Sequence, residues 1–240
     1  MEAIVFLAAL GAYFIKGLTG FANTLIFNSV LSFRMENAVI SPMDLLLGFP
    51  ANIYFVWKER KNISAKVVVP LSLLMLAGLI PGALFLRMGD QRQLKIVLGL
   101  AVIIIGIEML FRQYKTVKLK QSNVFLSFIG VLSGFLCGLF GIGAFLVAYI
   151  SRTTENQSQF QGNICCVFLV ENIFRIILYT VTGILTWDIL KGTLMILPAM
   201  IIGMLTGVMA AKHIKEKSVK TLVVILLLIT GVSLIIKNVV

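Results

Sequence analysis

Two apolar segments of this chain are too long to cross a membrane once, and both are interrupted by the same glycine pattern. The first spans residues 3–33 and the second spans residues 124–150. As one straight helix the first would be ~46 Å long, whereas the hydrocarbon core of a bilayer is about 30 Å thick. A Gly-Leu-x-Gly run interrupts each segment, at Gly17–Gly20 and at Gly138–Gly141. A break of this kind at corresponding places in two halves of a chain is typical of a transporter binding site.

The remainder of the chain is also apolar enough for a membrane. Hydrophobic residues make up 59% of the sequence and charged residues 13%, with a mean hydropathy of +1.02; soluble proteins are about a quarter charged. Because lipid cannot satisfy backbone polar groups, we predict an all-α, multi-pass integral protein of the plasma membrane. Six further segments, each close to the ~20 residues of a single crossing, lie at 38–57, 66–87, 92–111, 159–183, 190–211 and 218–236.

The second half of the chain repeats features of the first. Gly78–Gly82 corresponds to Gly203–Gly207, and Asn52 corresponds to Asn172. We therefore predict two membrane repeats, residues 1–115 and 120–240, with four segments each. Glycines four residues apart let helices approach closely. Two uses of these glycines stay open: packing within one subunit, or a face between copies in a homo-oligomer.

Two wirings of the broken segments are compatible with their lengths. Each could cross the membrane once as a broken helix, or each could re-enter and return to its own side. In the re-entrant wiring, the connectors at 58–66, 112–120, 152 and 212–220 share one side and carry 13 of the 21 Lys and Arg residues, against 6 opposite. Cytoplasmic connectors are enriched in Lys and Arg. The charge distribution therefore favours re-entrant segments, two inverted repeats and external termini.

The ionisable residues exclude several classes of function. The net charge is +11, yet no five consecutive residues are basic, so a nucleic-acid partner is not expected. The single histidine, His213, lies in a connector, which leaves no Ser–His or metal-ligating set inside the membrane. Phosphate-cradling and nucleophile-elbow motifs are lacking. We expect no enzyme, no cofactor and no bound metal; the expected partners are the lipid bilayer and a small anionic substrate.

Lys16 is the first candidate site residue, because a charge inside hydrocarbon is costly and usually functional. It stands beside Gly17 at the first break. The helical arms that follow Gly20 and Gly141 would aim unpaired N–H groups at the same region, which suits an anion. Alternatively, Lys16 reaches an interface or pairs with a carboxylate such as Asp44. The predicted substrate-binding residues of the two breaks are Lys16, Gly17, Thr19, Gly20, Asn23, Gly138, Gly141 and Gly143.

Three further intramembrane charges lie outside the breaks: Asp44, Glu171 and Arg175. Glu171 and Arg175 are four residues apart on one helix face, which favours an ion pair. In the alternative, Arg175 contacts substrate and Glu171 is its exchangeable partner. Asp44 and Glu171 are the candidate coupling residues. Asn52 and Asn172 are predicted to cap backbone groups at the breaks and to join the substrate-binding set.

The chain resembles the sulfite exporter TauE/SafE family over nearly its whole length. The similarity is carried by the glycine run Gly138, Gly141 and Gly143, by its weaker copy at Gly17 and Gly20, by the duplicated four-segment layout, and by Gln161–Ile164 at the start of the sixth segment. The second run ends at Ala144, and Ala22 and Asn23 replace glycines in the first.

The resemblance implies eight membrane segments and a secondary transporter of a small sulfur-containing anion of the sulfite, thiosulfate or organosulfonate class. The competing hypothesis is an anion channel with two re-entrant hairpins. Selective pores usually repeat polar positions around the conduction path, whereas the breaks here differ at Lys16/Cys137 and Thr19/Phe140. That asymmetry favours a carrier.

Overall fold

The computed structural model describes residues 3–114, 123–154, 156–211, 213 and 216–239, and within these ranges every α- or β-element is an α-helix. In chain order they are α1 (Ala3–Thr19), α2 (Asn23–Leu31), α3 (Asn37–Lys58), α4 (Ala65–Met88), α5 (Gln91–Tyr114), α6 (Asn123–Phe140), α7 (Ala144–Thr153), α8 (Gln157–Val181), α9 (Trp187–Ala210) and α10 (Glu216–Val239). A short 3-10 turn at Arg60–Asn62 precedes α4.

Six of these helices, α3, α4, α5, α8, α9 and α10, are long and apolar enough to cross a membrane. They match the six single-crossing segments predicted from the sequence, with ends that differ by a few residues. The charge count rests partly on residues 115–120, 212, 214 and 215 of two connectors, and these lie outside the described residues.

Both over-long segments are broken where the glycines predict it. The first is α1 followed by α2, and the second is α6 followed by α7. At each break a glycine adopts a left-handed backbone, Gly20 at φ 84° and Gly141 at φ 72°, a conformation that costs glycine little. The arms are unequal: α1 is about 25 Å long and α2 about 14 Å at 1.5 Å per residue. The long arm therefore reaches deeper than the midplane unless it tilts.

The helices group into two compact units that interleave along the chain. The first unit comprises Met1–Asp44, Gly89–Val117 and Trp187–Val240, and the second comprises Leu45–Met88 and Lys118–Thr186. Each unit thus takes helices from both halves of the sequence. Within α3, the first turns belong to the first unit and the rest to the second.

In the first unit, α1 packs on α9 through glycines. A Cβ on Gly207 would overlap the carbonyl oxygen of Phe14, and one on Gly203 would overlap that of Leu10. Gly17 in turn stands against the backbone of Met204. The order of these contacts shows that α1 and α9 run in the same direction.

In the second unit, α6 packs on α4 in the same way. A Cβ on Gly82 would overlap the carbonyl oxygen of Phe135, and one on Gly78 would overlap that of Val131. Gly138 stands against Leu79. These glycines therefore serve packing within one chain, which is the first of the two uses left open by the sequence.

The two ends of the first broken segment lie at the same end of the first unit. The Lys237 ammonium near the end of α10 donates to the carbonyl of Phe33, just past α2, at 3.3 Å. Since α9 and α10 are both long enough to cross and a short connector joins them, α10 ends where α9 begins. Because α1 runs parallel to α9, α1 begins at the end where α2 finishes.

The two ends of the second broken segment likewise lie at one end of the second unit. Ser64 N–H, just before α4, donates to the side-chain oxygen of Asn163 in the first turns of α8 at 2.7 Å. Because α6 runs parallel to α4, α6 begins at the same end of the second unit as α4, and therefore near the start of α8. The helix α7 finishes at this end as well, since α8 follows it directly in the chain. The re-entrant wiring of the two broken segments stays a prediction.

Candidate functional site

The first break is shaped by Thr19 and by two left-handed residues. The Thr19 hydroxyl lies 2.9 Å from the carbonyl of Ile15 and 2.7 Å from that of Phe21, and it accepts from the Phe21 N–H at 3.3 Å. Gly20 N–H closes the end of α1 on the Lys16 carbonyl at 2.7 Å. Thr19 was predicted to contact substrate; the structure directs its hydroxyl to the backbone of the break, where it stabilises the turn.

Ala22 precedes α2 with φ 72°, a left-handed conformation that is strained for a residue with a Cβ. No side chain caps the α2 N-terminus at this residue. The corresponding residue of the second break, Gly143, has an ordinary φ of −102°. Gly143 is required for another reason: a Cβ there would overlap the ring of Phe168 on α8.

Lys16 is buried at this break, with 2% of its surface exposed. Its ammonium donates to the side-chain oxygen of Asn23 at 3.3 Å. The amide nitrogen of Asn23 donates to Asp44 Oδ1 at 3.1 Å. Asn23 therefore links the buried cation to the buried carboxylate.

Two residues outside the predicted set complete this arrangement. The Thr24 hydroxyl donates to Asp44 Oδ2 at 2.6 Å, and the Tyr13 hydroxyl lies 3.4 Å from Asp44 Oδ1. Tyr13 stands three residues before Lys16 and hence on the same helix face, which is the sequence signal that would have identified it. We call Tyr13, Lys16, Asn23, Thr24 and Asp44 the Lys16 cluster.

The Lys16 cluster brings together residues of α1, α2 and α3. It contains one side chain that can be positive, Lys16, and one that can be negative, Asp44. When both are ionised, the net charge of the cluster is zero. Burying two charges is costly unless polar groups around them offer hydrogen bonds. The Asn23 amide fills that role, because it can accept from a cation and donate to a carboxylate at the same time.

The second unit holds a different charged arrangement. Arg175 Nη1 lies 3.0 Å from Glu171 Oε1, an i,i+4 ion pair that is almost fully buried. The same nitrogen donates to the carbonyl of Cys137 at 3.0 Å, and the Tyr179 hydroxyl donates to the carbonyl of Gly138 at 2.6 Å. These carbonyls belong to the last turn of α6, where helices leave acceptors unpaired and favour a cation. Arg175 thus fastens the end of α6.

Asn52 and Asn172 meet in this unit. With its amide oriented to satisfy its neighbours, Asn172 accepts from Asn52 Nδ2 at 3.0 Å and donates to Glu171 Oε2 at 2.8 Å. Both are predicted to cap the breaks and to join the substrate-binding set; in the structure they pair with each other and extend the ion pair. We call Cys137, Gly138, Glu171, Asn172, Arg175, Tyr179 and Asn52 the Arg175 cluster.

The predicted site residues therefore divide into three groups. Lys16, Asn23 and Asp44 meet in the Lys16 cluster. Asn52, Gly138, Glu171, Asn172 and Arg175 meet in the Arg175 cluster. The remaining ones shape the backbone: Gly17 packs on α9, Thr19 and Gly20 close the first break, and Gly141 and Gly143 form the second.

Comparison with known proteins gives one match. Residues 5–234 match the model of the family described as Sulfite exporter TauE/SafE. The match covers nearly the whole chain, including both breaks and all the helices that carry the two clusters. No curated protein and no solved structure gives a significant match.

Proposed function

The chain belongs to the sulfite exporter TauE/SafE family, and from that membership we propose that it is a secondary transporter that carries a small sulfur-containing anion across the plasma membrane. The substrate would be of the sulfite, thiosulfate or organosulfonate class. The observation that carries the proposal is the buried Lys16 ammonium, held beside a helix break by an uncharged amide.

The two repeats would be inverted relative to each other. In support, residues at corresponding positions make corresponding contacts: Gly17 meets Gly207 in the first unit, and Gly138 meets Gly82 in the second. In both units the two ends of the broken segment also lie together. An inverted repeat with broken helices is the architecture in which secondary transporters bind substrate.

The anion would bind at the Lys16 cluster. There the Lys16 ammonium donates to the Asn23 side-chain oxygen at 3.3 Å, a hydrogen bond to a neutral group that an oxyanion can take over. The α2 N-terminus beside it contributes partial positive charge. In the Arg175 cluster the guanidinium already contacts the Glu171 carboxylate directly. An anion that drew Arg175 away from this pair would leave the buried Glu171 carboxylate without a counter-charge.

A carrier is favoured over an anion channel by the difference between the two clusters. A conduction path built on equivalent breaks would present similar groups from each. Here one break holds a cation in the site, and the other uses its cation to fasten a helix end. We therefore place binding in one unit and structural support in the other.

The test is uptake of labelled sulfite, thiosulfate and a short sulfonate into proteoliposomes, with sulfate and chloride as competitors. Saturable uptake of one of them is expected. Lys16→Ala should reduce it by about 10- to 100-fold, because a charge-assisted hydrogen bond contributes about 1.5–3 kcal/mol. Lys191→Ala is the matched control, since Lys191 is an exposed lysine near the start of α9.

Two results would overturn the proposal. Equal uptake by the wild type and Lys16→Ala would remove the site assignment. Single-channel currents in planar bilayers, carried by the same anions without saturation, would replace the carrier by a channel.

A further inference from the structure

Polar side chains line the interface of α2 with the first turns of α3 in a continuous row. On α2 they recur every four residues, at Thr24, Asn28 and Ser32, and on α3 at Asn37, Ser41 and Asp44, so each set occupies one helix face. Thr24 keeps partial exposure, and the other five are buried. We call this row the α2–α3 polar track.

The track is bonded at both ends. At the inner end Thr24 donates to Asp44 Oδ2 at 2.6 Å. At the outer end the Ser32 hydroxyl donates to Asn37 Oδ1 at 2.8 Å. Between Ser32 and Asn37 the chain passes through Arg34 and Glu36, both exposed. The track therefore runs from the accessible α2–α3 connector to the carboxylate of the Lys16 cluster.

The track contains two buried polar atoms that no described residue satisfies, Asn28 Oδ1 and Asn37 Nδ2, and a third, Ser29 Oγ, lies next to Asn28 on α2. An unsatisfied buried polar atom costs about 1–3 kcal/mol, and native proteins meet such groups with buried water. Three of them in and beside the row indicate a hydrated path.

The corresponding helix of the second unit replaces part of this row. Aligned by the glycine breaks, Thr24, Asn28 and the neighbouring Ser29 correspond to Phe145, Tyr149 and Ile150 of α7, whereas Ser32 corresponds to Thr153. A helix in this position therefore does not need the polar residues to form. Their presence in α2 alone suggests a role tied to the Lys16 cluster.

We propose that the α2–α3 polar track is a hydrated path that delivers protons to Asp44, and that the transporter couples its anion to a proton. The proposal rests on the transport function proposed above. The printed partners of the Asp44 carboxylate include the Tyr13 hydroxyl from α1 and the neutral Asn23 and Thr24 from α2, and Lys16 of α1 donates to Asn23.

Charge balance gives the reason for coupling. Lys16 and Asp44 together are neutral, so an arriving anion adds a negative charge to a buried cluster, which is costly. One proton bound to an Asp44 carboxylate oxygen restores neutrality as one monovalent anion binds. Proton and anion then leave together on the other side, and the carboxylate is regenerated.

Water access is tested first, and this test does not need a transport substrate. In a variant whose Cys137, Cys165 and Cys166 are replaced by alanine, Ser29→Cys is compared with Ile150→Cys, since both parent side chains are almost fully buried. The probe is a small cationic methanethiosulfonate applied to proteoliposomes. Because thiol reactivity depends on exposure and thiolate formation, Ser29→Cys should react at least about tenfold faster. Equal rates would overturn the path.

Proton delivery is tested next, with Asn28→Leu, which places an apolar side chain of similar size in the track. Ile26→Leu on the same helix is the control. Substrate-driven proton entry, read by a pH-sensitive dye inside the liposomes, should fall about tenfold, a barrier change of about 1.4 kcal/mol. Substrate exchange without a gradient should change less than about twofold, since exchange needs no net proton movement.

The outcomes separate the two proposals. Equal losses of proton entry and exchange would overturn the proton role of the track. Anion uptake with no accompanying proton entry in the wild type would overturn coupling while leaving transport in place. No uptake of any anion would overturn the proposed function, and the cysteine reactivities would still decide whether the path is hydrated.

Discussion

The two helix breaks share a scaffold and differ in what they do with a buried charge. At both breaks a long helix, α1 or α6, ends at a glycine with a left-handed backbone. Each of these helices packs closely on a glycine-containing helix of the same unit. At the first break the cation, Lys16, is held by a neutral amide. At the second the cation, Arg175, is committed to a carboxylate and to a helix end.

Under the inverted repeat that we propose, that difference teaches how two copies of one architecture can specialise. Close helix packing needs small residues at fixed places, so both copies keep them. The polar residues are free to diverge once one copy suffices for binding. A Lys–amide–Asp arrangement can rearrange around a ligand, whereas an Arg–carboxylate pair with a second acceptor is rigid.

The largest effect tests the shared scaffold. Gly17→Val and Gly138→Val should each abolish folding, because either side chain would overlap the backbone of the facing helix. Gly11→Ala is the control in α1, since a Cβ there meets nothing within 4 Å. Size-exclusion chromatography of detergent extracts shows whether each variant gives a monodisperse, folded protein. A folded protein from only one of the two valine variants would show that the scaffolds are not equivalent.

The next largest effects distinguish the charges that stabilise the fold, Glu171 and Arg175, from those that we propose for transport, Lys16 and Asp44. Glu171→Gln alone should destabilise by about 3–5 kcal/mol, because it leaves buried Arg175 without its counter-charge. Glu171→Leu with Arg175→Met should regain most of that stability and keep transport. Lys16→Met with Asp44→Leu should fold and lose transport.

Thermal unfolding and anion uptake, measured on the same preparations, check this set. If the Arg175 double variant folds normally but no longer transports, both clusters contribute to binding and the comparison fails.

A smaller effect concerns pH and the two candidate coupling carboxylates. In the wild type, uptake should rise as the pH on the side of substrate entry falls, because a proton enters with the anion. Asp44→Asn should remove this dependence, since the amide cannot take up a proton in that range. Glu171→Gln should retain it in the molecules that remain folded. Initial rates at a series of external pH values decide between them, and a flat profile in the Glu171 variant alone would reverse the assignment.

The smallest effect concerns backbone strain. Ala22→Gly relieves a left-handed alanine, a strain of about 1–2 kcal/mol, but increases the freedom of the unfolded chain by about 0.5–1 kcal/mol. A net gain of up to about 1 kcal/mol is expected. Gly143→Ala should instead lose about 1–3 kcal/mol, because its Cβ would meet Phe168. Melting temperatures measure both, and a loss of stability in Ala22→Gly would contradict the strain argument.

Part of the site could be predicted from the sequence because charged residues are rare within apolar, membrane-spanning segments. Lys16, Asp44, Glu171 and Arg175 stand out in apolar segments, and the i,i+4 spacing alone predicts the pair that the structure confirms. Tyr13 escaped notice, since single hydroxyl groups are common in membrane helices. The link from Lys16 to Asp44 through Asn23 joins residues of three helices, and no local pattern encodes it.

The sequence by itself determined the membrane class, the crossing helices and the places where two segments break. These follow from local properties: apolar length, the need of each backbone group for a partner in lipid, and the backbone freedom of glycine. The tertiary structure alone decided that α1 packs on α9 and α6 on α4, that the compact units interleave the two halves, and that a polar track leads to Asp44. Those outcomes depend on which helix faces fit together, and that fit is a property of side chains far apart in the chain.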